Sequence, residues 1–402
     1  MVVGKIRRFK LNKMKNRVLA IDIFRGMTIA LMIIVNTPGT WEHVFDPLEH
    51  ASWHGCTPTD LVFPSFLFII GASAWFSFKK FDHVLNRASF LKTLKRTAII
   101  FFLGLFLFNI PGLVISFFDF STGSYLADMF QHLRIPGVLQ RLALCYGIGS
   151  LLVLKFNKTT LIAISGFLLL FFWWAAFTFG QVADPYGLQT NAVLYLDTWL
   201  LGADHLYHGE TVNGQPFAFD PEGILSTIPA IVTYVLGYLT GQYIDSNKDK
   251  RFIISELFPA SLLLIAAGFL WEYWLGFPVN KKLWTSSYVL YAGGISMLML
   301  TISIWLADIK GWGKRLDFFR IFGTNPLLAY VLSELLIIIL VNIRYSGADG
   351  AVHNAYEGIY NSLFVPLAGN NEWGSLLFAL SYMLFNWLVI YIFYKRGIFW
   401  KI

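Results

Sequence analysis

Stretches of about twenty mostly apolar residues recur ten times along this 402-residue chain, and nothing else in it constrains the fold so strongly. A helix needs about 20 such residues to cross roughly 30 Å of hydrocarbon. The stretches run over about 18–37, 60–78, 94–116, 136–154, 159–179, 224–243, 253–275, 284–306, 324–342 and 374–394, and Pro111-Gly112 interrupts the third. Inside a bilayer every backbone polar group must be bonded within the protein, so spans of this kind are helices. The expected fold is an all-α integral membrane protein, a bundle of about ten transmembrane helices. Charged residues make up 14% of the chain, against roughly 25% in a soluble domain. The expected organisation is a basic tail over 1–17 and a single transmembrane domain over 18–402, with a long outer loop over about 180–223.

Charge sets the orientation. Of the 31 Lys and Arg residues, 25 lie before the first span or in every second connection after it. The positive-inside rule puts that face in the cytoplasm, together with both termini, and the alternation requires an even number of spans. The first span is not a cleaved signal peptide. It is too long, it carries Asp22 and Arg25, and no small-residue cleavage site follows it. The net charge of +7 is therefore orientation chemistry, and no nucleic-acid partner is expected. Cys56 and Cys145 lie far apart and make neither a zinc pattern nor a disulfide framework. No metal site is expected. The loop from Gly180 to Gly223 holds acids but no Lys or Arg. It is either a cation-attracting vestibule or an ordinary outward loop.

Ionisable groups inside spans are costly and mark functional sites. Asp22 and Arg25 are three residues apart, so they share a helical face and can pair. They form either a structural ion pair or an anion site reached from inside. Asn36 ends the first span, roughly 16 Å along the axis from Arg25. It caps the helix or faces a site at the outer mouth. Two histidines, His50 and His54, follow in one short loop, and Asp60 opens the second span. Asp60 either favours the helix dipole or orients a histidine. Arg141 lies in the first turns of the fourth span and needs a partner. Asp220 or Glu222, at the start of the sixth, would supply one, unless these groups meet substrate. Asn325 and Glu334 both lie in the ninth span, nine residues apart, and do not share a face.

In order along the chain come Ile21-Asp22-Ile23-Phe24-Arg25-Gly26, Val35-Asn36, His50-Ala51-Ser52-Trp53, Asp60-Leu61-Val62-Phe63-Pro64, Arg134 through Arg141, Asp220 through Thr227, and Asn280-Lys281-Lys282-Leu283-Trp284. Any one is weak. The ordered set resembles the transmembrane acyltransferases typified by heparan-α-glucosaminide N-acetyltransferase, and looks like a bacterial member that begins directly at the basic tail. The resemblance implies transfer of an acetyl group from cytoplasmic acetyl-CoA to an amino sugar on the other side, with His50 and Asn36 as catalytic residues.

On that basis Asp22, Arg25, Arg320 and Asn325 are expected at the cofactor, and Trp53, Asp60, Arg141, Asp220 and Glu222 at the acceptor. Trp53, Tyr186, Tyr195, Trp199 and Tyr207 offer faces on which a sugar can stack. The expected partners are acetyl-CoA, a glucosamine or glucosamine-ended glycan, the lipid bilayer and a second copy of the chain. The expected location is the cell (inner) membrane, with the acceptor on the periplasmic or extracellular side. Two rivals are an amino-sugar transporter and an O-acetyltransferase of a cell-wall glycan. The first would need alternating access, often built from internal repeats, and no repeat is visible.

Overall fold

The computed structural model describes residues 18–118, 130–247, 249–346 and 352–400, and the side chains of all of these except 110–118. The basic segment 1–17 lies outside them. The long helices are α1 (Leu19–Asn36), α2 (Val62–Phe78), α3 (Arg87–Phe118), α4 (Val138–Lys155) and α5 (Lys158–Phe179). A short outer helix, α6 (Ala192–Leu201), precedes α7 (Ile224–Ser246), α8 (Lys250–Leu275) and α9 (Ser286–Ile304). Then come α10 (Asp317–Thr324), α11 (Pro326–Asn342), the short α12 (Ala355–Ile359) and α13 (Val365–Ala368), and α14 (Glu372–Lys395). Strand structure is confined to two small antiparallel hairpins, Glu210–Val212 with Gln215–Phe217 and Arg344–Ser346 with Val352–Asn354.

Among the described residues, eight helices are long and apolar enough to cross a membrane. The pair α10–α11 makes a ninth candidate, bent by 84°. Helix α3 runs through Pro111. Near the expected ninth span the chain breaks at Asn325, where Pro326 takes the first position of α11. Proline suits that position, because its missing N–H would have no helical partner there.

Local chemistry fixes the helix starts. The side chains of Asn157, Asp249, Thr285 and Asn371 each accept a backbone N–H from the first turn of the helix that follows, which supplies orphan donors with partners. Small residues then set the packing. Gly26 of α1 lies against the carbonyl of Phe319, and Gly323 of α10 against that of Asp22. A Cβ at either would collide with backbone, so α1 and α10 are held at a spacing that only glycine permits. Helix α7 is the most enclosed span and α8 the least.

Contacts between helix ends sort the bundle into two faces. On one, Lys79 after α2 meets Asp245 of α7, and the N–H of Leu85 bonds the carbonyl of Leu154 at the end of α4. On the other, the Gly55 N–H bonds the Val279 carbonyl at 2.8 Å, and Arg134 meets Asp220. The first face is basic, carrying Lys79, Lys80, Arg87, Lys155, Lys158, Lys395 and Arg396. The second carries His50, Asp60 and the loops after α5 and α8.

Candidate functional site

A single 3-10 turn, Thr59–Leu61, leads into α2 and places Asp60 at the floor of the loop that carries His50. The Asp60 side chain is 2% exposed and that of His50 41%. His50 Nδ1 lies 2.7 Å from Asp60 Oδ1. The other carboxylate oxygen accepts the N–H groups of Ala51 and Thr57, at 3.1 and 3.0 Å, and the Thr57 hydroxyl at 3.1 Å. A carboxylate can only accept, so Nδ1 carries the proton and Nε2 keeps its lone pair. The Lys281 ammonium completes the group. Its Nζ is 3.4 Å from Asp60 Oδ1, 3.0 Å from His50 Nδ1 and 3.4 Å from Nε2. With Nδ1–H committed to Asp60, Lys281 pairs with the carboxylate and flanks Nε2. Burial lowers the Lys281 pKa, and the charge of Asp60 opposes that shift.

Two loops frame this group. Asn280 donates to the Trp53 carbonyl at 2.8 Å and lies 3.2 Å from His54 Nδ1. Lys282 donates to the Ser52 carbonyl at 2.9 Å and pairs with Glu210 at 2.7 Å. Burial lowers the pKa of His54, which suits an uncharged contact to Asn280. His54 thus braces the loop, while His50 faces outward from it.

A cavity of about 370 Å³ opens from the basic half of the bundle. Its wall carries the cations Arg25, Lys92 and Arg96, the hydroxyls of Ser73 and Ser77, and the rings of Tyr146 and Tyr330. Arg25 pairs with Asp22 at 2.8 Å and donates to the Gly323 carbonyl at 2.8 Å and to Ser73 Oγ. Among the described residues neither Lys92 nor Arg96 forms an ion pair. Burial, with Lys80 adding to it, brings the Lys92 ammonium down to about 8. The backbone start of α11 adds to the same wall through Thr324 and Pro326, and a helix N-terminus favours negative charge. This lining suits an elongated anion with an apolar tail. Helix α2 joins the two regions. Phe66, Ile70, Ser73 and Ser77 line the cavity, a run of roughly 16 Å along the axis, and Asp60 lies roughly 9 Å beyond Phe66.

The expected residues divide between these regions and the scaffold. His50 and Asp60 come together, and Arg25 with Asp22 borders the cavity. Asn36 is exposed at the end of α1, and among the described residues no hydrogen bond joins it to His50. The expected pairing of Arg141 is corrected. Arg134 takes both acids instead, with a bidentate bond to Asp220 at 2.8 Å and a third to Glu222 at 2.8 Å. It is also stacked between Phe108 and Tyr207. Being closer in sequence to the loop, Arg134 reaches the acids. Arg141, one helical turn inside α4, donates instead to the Gly223 carbonyl and Ser226. Arg320 pairs with Asp317 and touches Tyr394 rather than the cavity. Asn325 is bonded to backbone, donating to the Ile398 carbonyl at 2.9 Å and accepting the Trp400 N–H at 2.8 Å. Among the aromatics, Trp53 donates to the Tyr186 carbonyl and packs on Phe219, and Tyr207 covers Arg134. Trp199 is 79% exposed.

Three members of these regions were not singled out from sequence. Lys92 and Arg96 read only as orienting charges, and Lys281 only as part of a motif. Lys92 and Arg96 are four apart, so they share a helical face, and that was the available signal.

No family model matches the chain. It is 30% identical, over 447 aligned positions, to the heparan-alpha-glucosaminide N-acetyltransferase of Homo sapiens, which covers 98% of this chain and 61% of the relative. It is also 30% identical to the Mus musculus protein of the same name, over 96% of this chain and 61% of the relative. The chain thus spans less than two thirds of the length of these relatives.

Proposed function

From a chain that belongs to the transmembrane acyltransferase family typified by heparan-alpha-glucosaminide N-acetyltransferase, we propose a transmembrane transfer of acetyl from acetyl-CoA to the amine of an amino sugar. The donor enters the cavity from the cytoplasm, and the acceptor, glucosamine or a glucosamine-ended glycan, arrives at His50 from outside. The observation that carries this reading is the shared helix α2. Its residues Phe66, Ile70, Ser73 and Ser77 line the cavity that Arg25 of α1 and Lys92 and Arg96 of α3 also face, and the turn that leads into it carries Asp60, the carboxylate that orients His50. The positive-inside rule assigns the cavity mouth to the cytoplasm.

Each group then has a task. Arg25, Lys92 and Arg96 meet the phosphates of CoA, and the apolar wall from Ile100 to Phe66 takes the pantetheine arm. At the outer end the acceptor nitrogen forms a bond to the thioester carbonyl carbon as the C–S bond breaks. His50 Nε2 accepts the proton lost by the amine and returns it to the departing thiolate. Asp60 holds the tautomer in which Nε2 is free and stabilises the imidazolium as it forms. Lys281, beside Nε2, meets the negative charge that develops on the carbonyl oxygen. Asn36, which the family resemblance makes catalytic, is assigned here as a further donor to that oxygen.

The test is incubation of the purified protein with acetyl-CoA and glucosamine, followed by assay of free CoA and N-acetylated product. Release of CoA with acetyl found on the amine supports the reading. Acetyl found on a hydroxyl would make the protein an O-acetyltransferase, and sugar uptake by proteoliposomes of the same protein without acetylation a transporter.

A further inference from the structure

The segment that follows α14 returns over the basic end of the cavity, and Phe399 and Trp400 form part of its lining. Asn325 holds it there. The side-chain amide bonds the chain on both sides of Phe399, at the Ile398 carbonyl and the Trp400 N–H. That is the pattern of a strand neighbour, made by one side chain. Asn325 has this freedom because it sits in the 84° break between α10 and α11. A break at membrane depth is tolerated where the freed groups find other partners. The Trp400 side chain stays half exposed although its backbone is pinned, and Phe399 lies edge-on to Tyr394 at 6.3 Å. Two aromatic rings thus line the same cavity as three cations. Flat π faces next to fixed positive charge are the chemistry of a nucleotide, whose base stacks while its phosphates pair.

We propose that Phe399 and Trp400, held by Asn325, form the stacking wall for the purine base of the donor, whose phosphates face Arg25, Lys92 and Arg96. This assignment rests on the acetyl-CoA reading above and gives that site its nucleotide end. Asn325 acts here through the chain it holds, as a positioning residue.

The alternative is that Trp400 anchors the segment at the bilayer interface, where tryptophan is common. Two probes separate these roles. CoA carries the base, and 4′-phosphopantetheine has the arm and one phosphate without it. Binding of both is measured by calorimetry on the full chain in detergent, with the weaker probe read by displacement of CoA. Trp400→Ala is expected to weaken CoA about tenfold, as loss of one stacked base does, and to leave 4′-phosphopantetheine within twofold. Trp400→Phe should retain most of the CoA affinity, and Asn325→Ala should show the same split as Trp400→Ala. If the alanine variant is not recovered folded, Trp400→Leu keeps apolar bulk without a ring and is read in the same way. Equal losses for both probes, or no loss for either, would overturn the proposal. Wild-type protein that binds CoA but transfers no acetyl would overturn the reaction while leaving this wall to be judged by the same split. Wild-type protein that binds no CoA would overturn both.

Discussion

His50 and Asp60 are ten residues apart, and 2.7 Å separates Nδ1 of one from Oδ1 of the other. The bond closes the loop on itself, because the second oxygen of Asp60 is already taken by Ala51 and Thr57. Asp60→Asn would place an amide opposite Nδ1. The amide can donate, which would move the imidazole proton to Nε2, the wrong nitrogen for accepting one. We expect kcat to fall by about a hundredfold or more, with little change in KM for acetyl-CoA. His50→Ala should abolish transfer and preserve CoA binding. Steady-state kinetics on the wild type and Asp60→Asn, and calorimetric CoA binding together with an activity assay on His50→Ala, check both.

Arg25 gives a second prediction. It is bonded to Asp22, to the Gly323 carbonyl and to Ser73, so Arg25→Gln removes an ion-pair bond to the buried Asp22 carboxylate together with two further hydrogen bonds, and should destabilise the protein. Adding Asp22→Asn should restore most of the stability. If Arg25 also meets a phosphate, CoA binding by the double variant remains about tenfold weaker than wild type. Calorimetry on the folded double variant decides, and wild-type affinity there would remove Arg25 from the donor site.

Much of this was legible in the chain, and the failures have a common cause. Eight of the ten expected spans and the Asp22–Arg25 and His50–Asp60 pairs follow from spacing along one helix or one loop, which sequence displays directly. Arg134 and Arg141 are different. Both precede the same acidic stretch, and choosing between them requires the distance across two helix ends, which spacing does not contain. Asn325 looked like a polar group inside a span because the helix break was not visible. In sequence Lys92 and Arg96 read only as orienting charges, because a helical face can be read from sequence but what that face looks onto cannot.

Asp197 supplies a pH dependence. It lies on α6 and accepts the N–H groups of Ile224 and Leu225 at the start of α7. Burial raises its pKa to about 7, well above the unfolded value of about 4. A group raised in this way holds its proton in the folded state after the unfolded chain has lost it. Its contribution to stability is therefore complete below about pH 4, declines as pH rises toward 7, and is level above that. Asp197→Asn keeps an acceptor and removes the titration. We expect the fall in Tm of wild type between pH 5 and pH 8 to be smaller in the variant. Thermal unfolding in detergent at both values measures it, and equal falls would show that Asp197 does not titrate in this range.

Sidedness is tested with two cysteines. Ser52→Cys lies in the loop beside His50, and Asn247→Cys between α7 and α8. A membrane-impermeant maleimide on intact cells should label the first and not the second. The reverse pattern would invert the donor and acceptor faces.

Lys281 and His50 touch although 231 positions separate them in the chain. The loop of one is fastened to the loop of the other through Gly55, Asn280 and Lys282. Activity is therefore also a measure of completed assembly. A protein whose first helices have inserted, but whose α8–α9 hairpin has not, would carry His50 and Asp60 with no ammonium beside them. It would also lack the α11 wall of the cavity. Such an intermediate can be inserted in the membrane and still lack the completed His50–Asp60–Lys281 group.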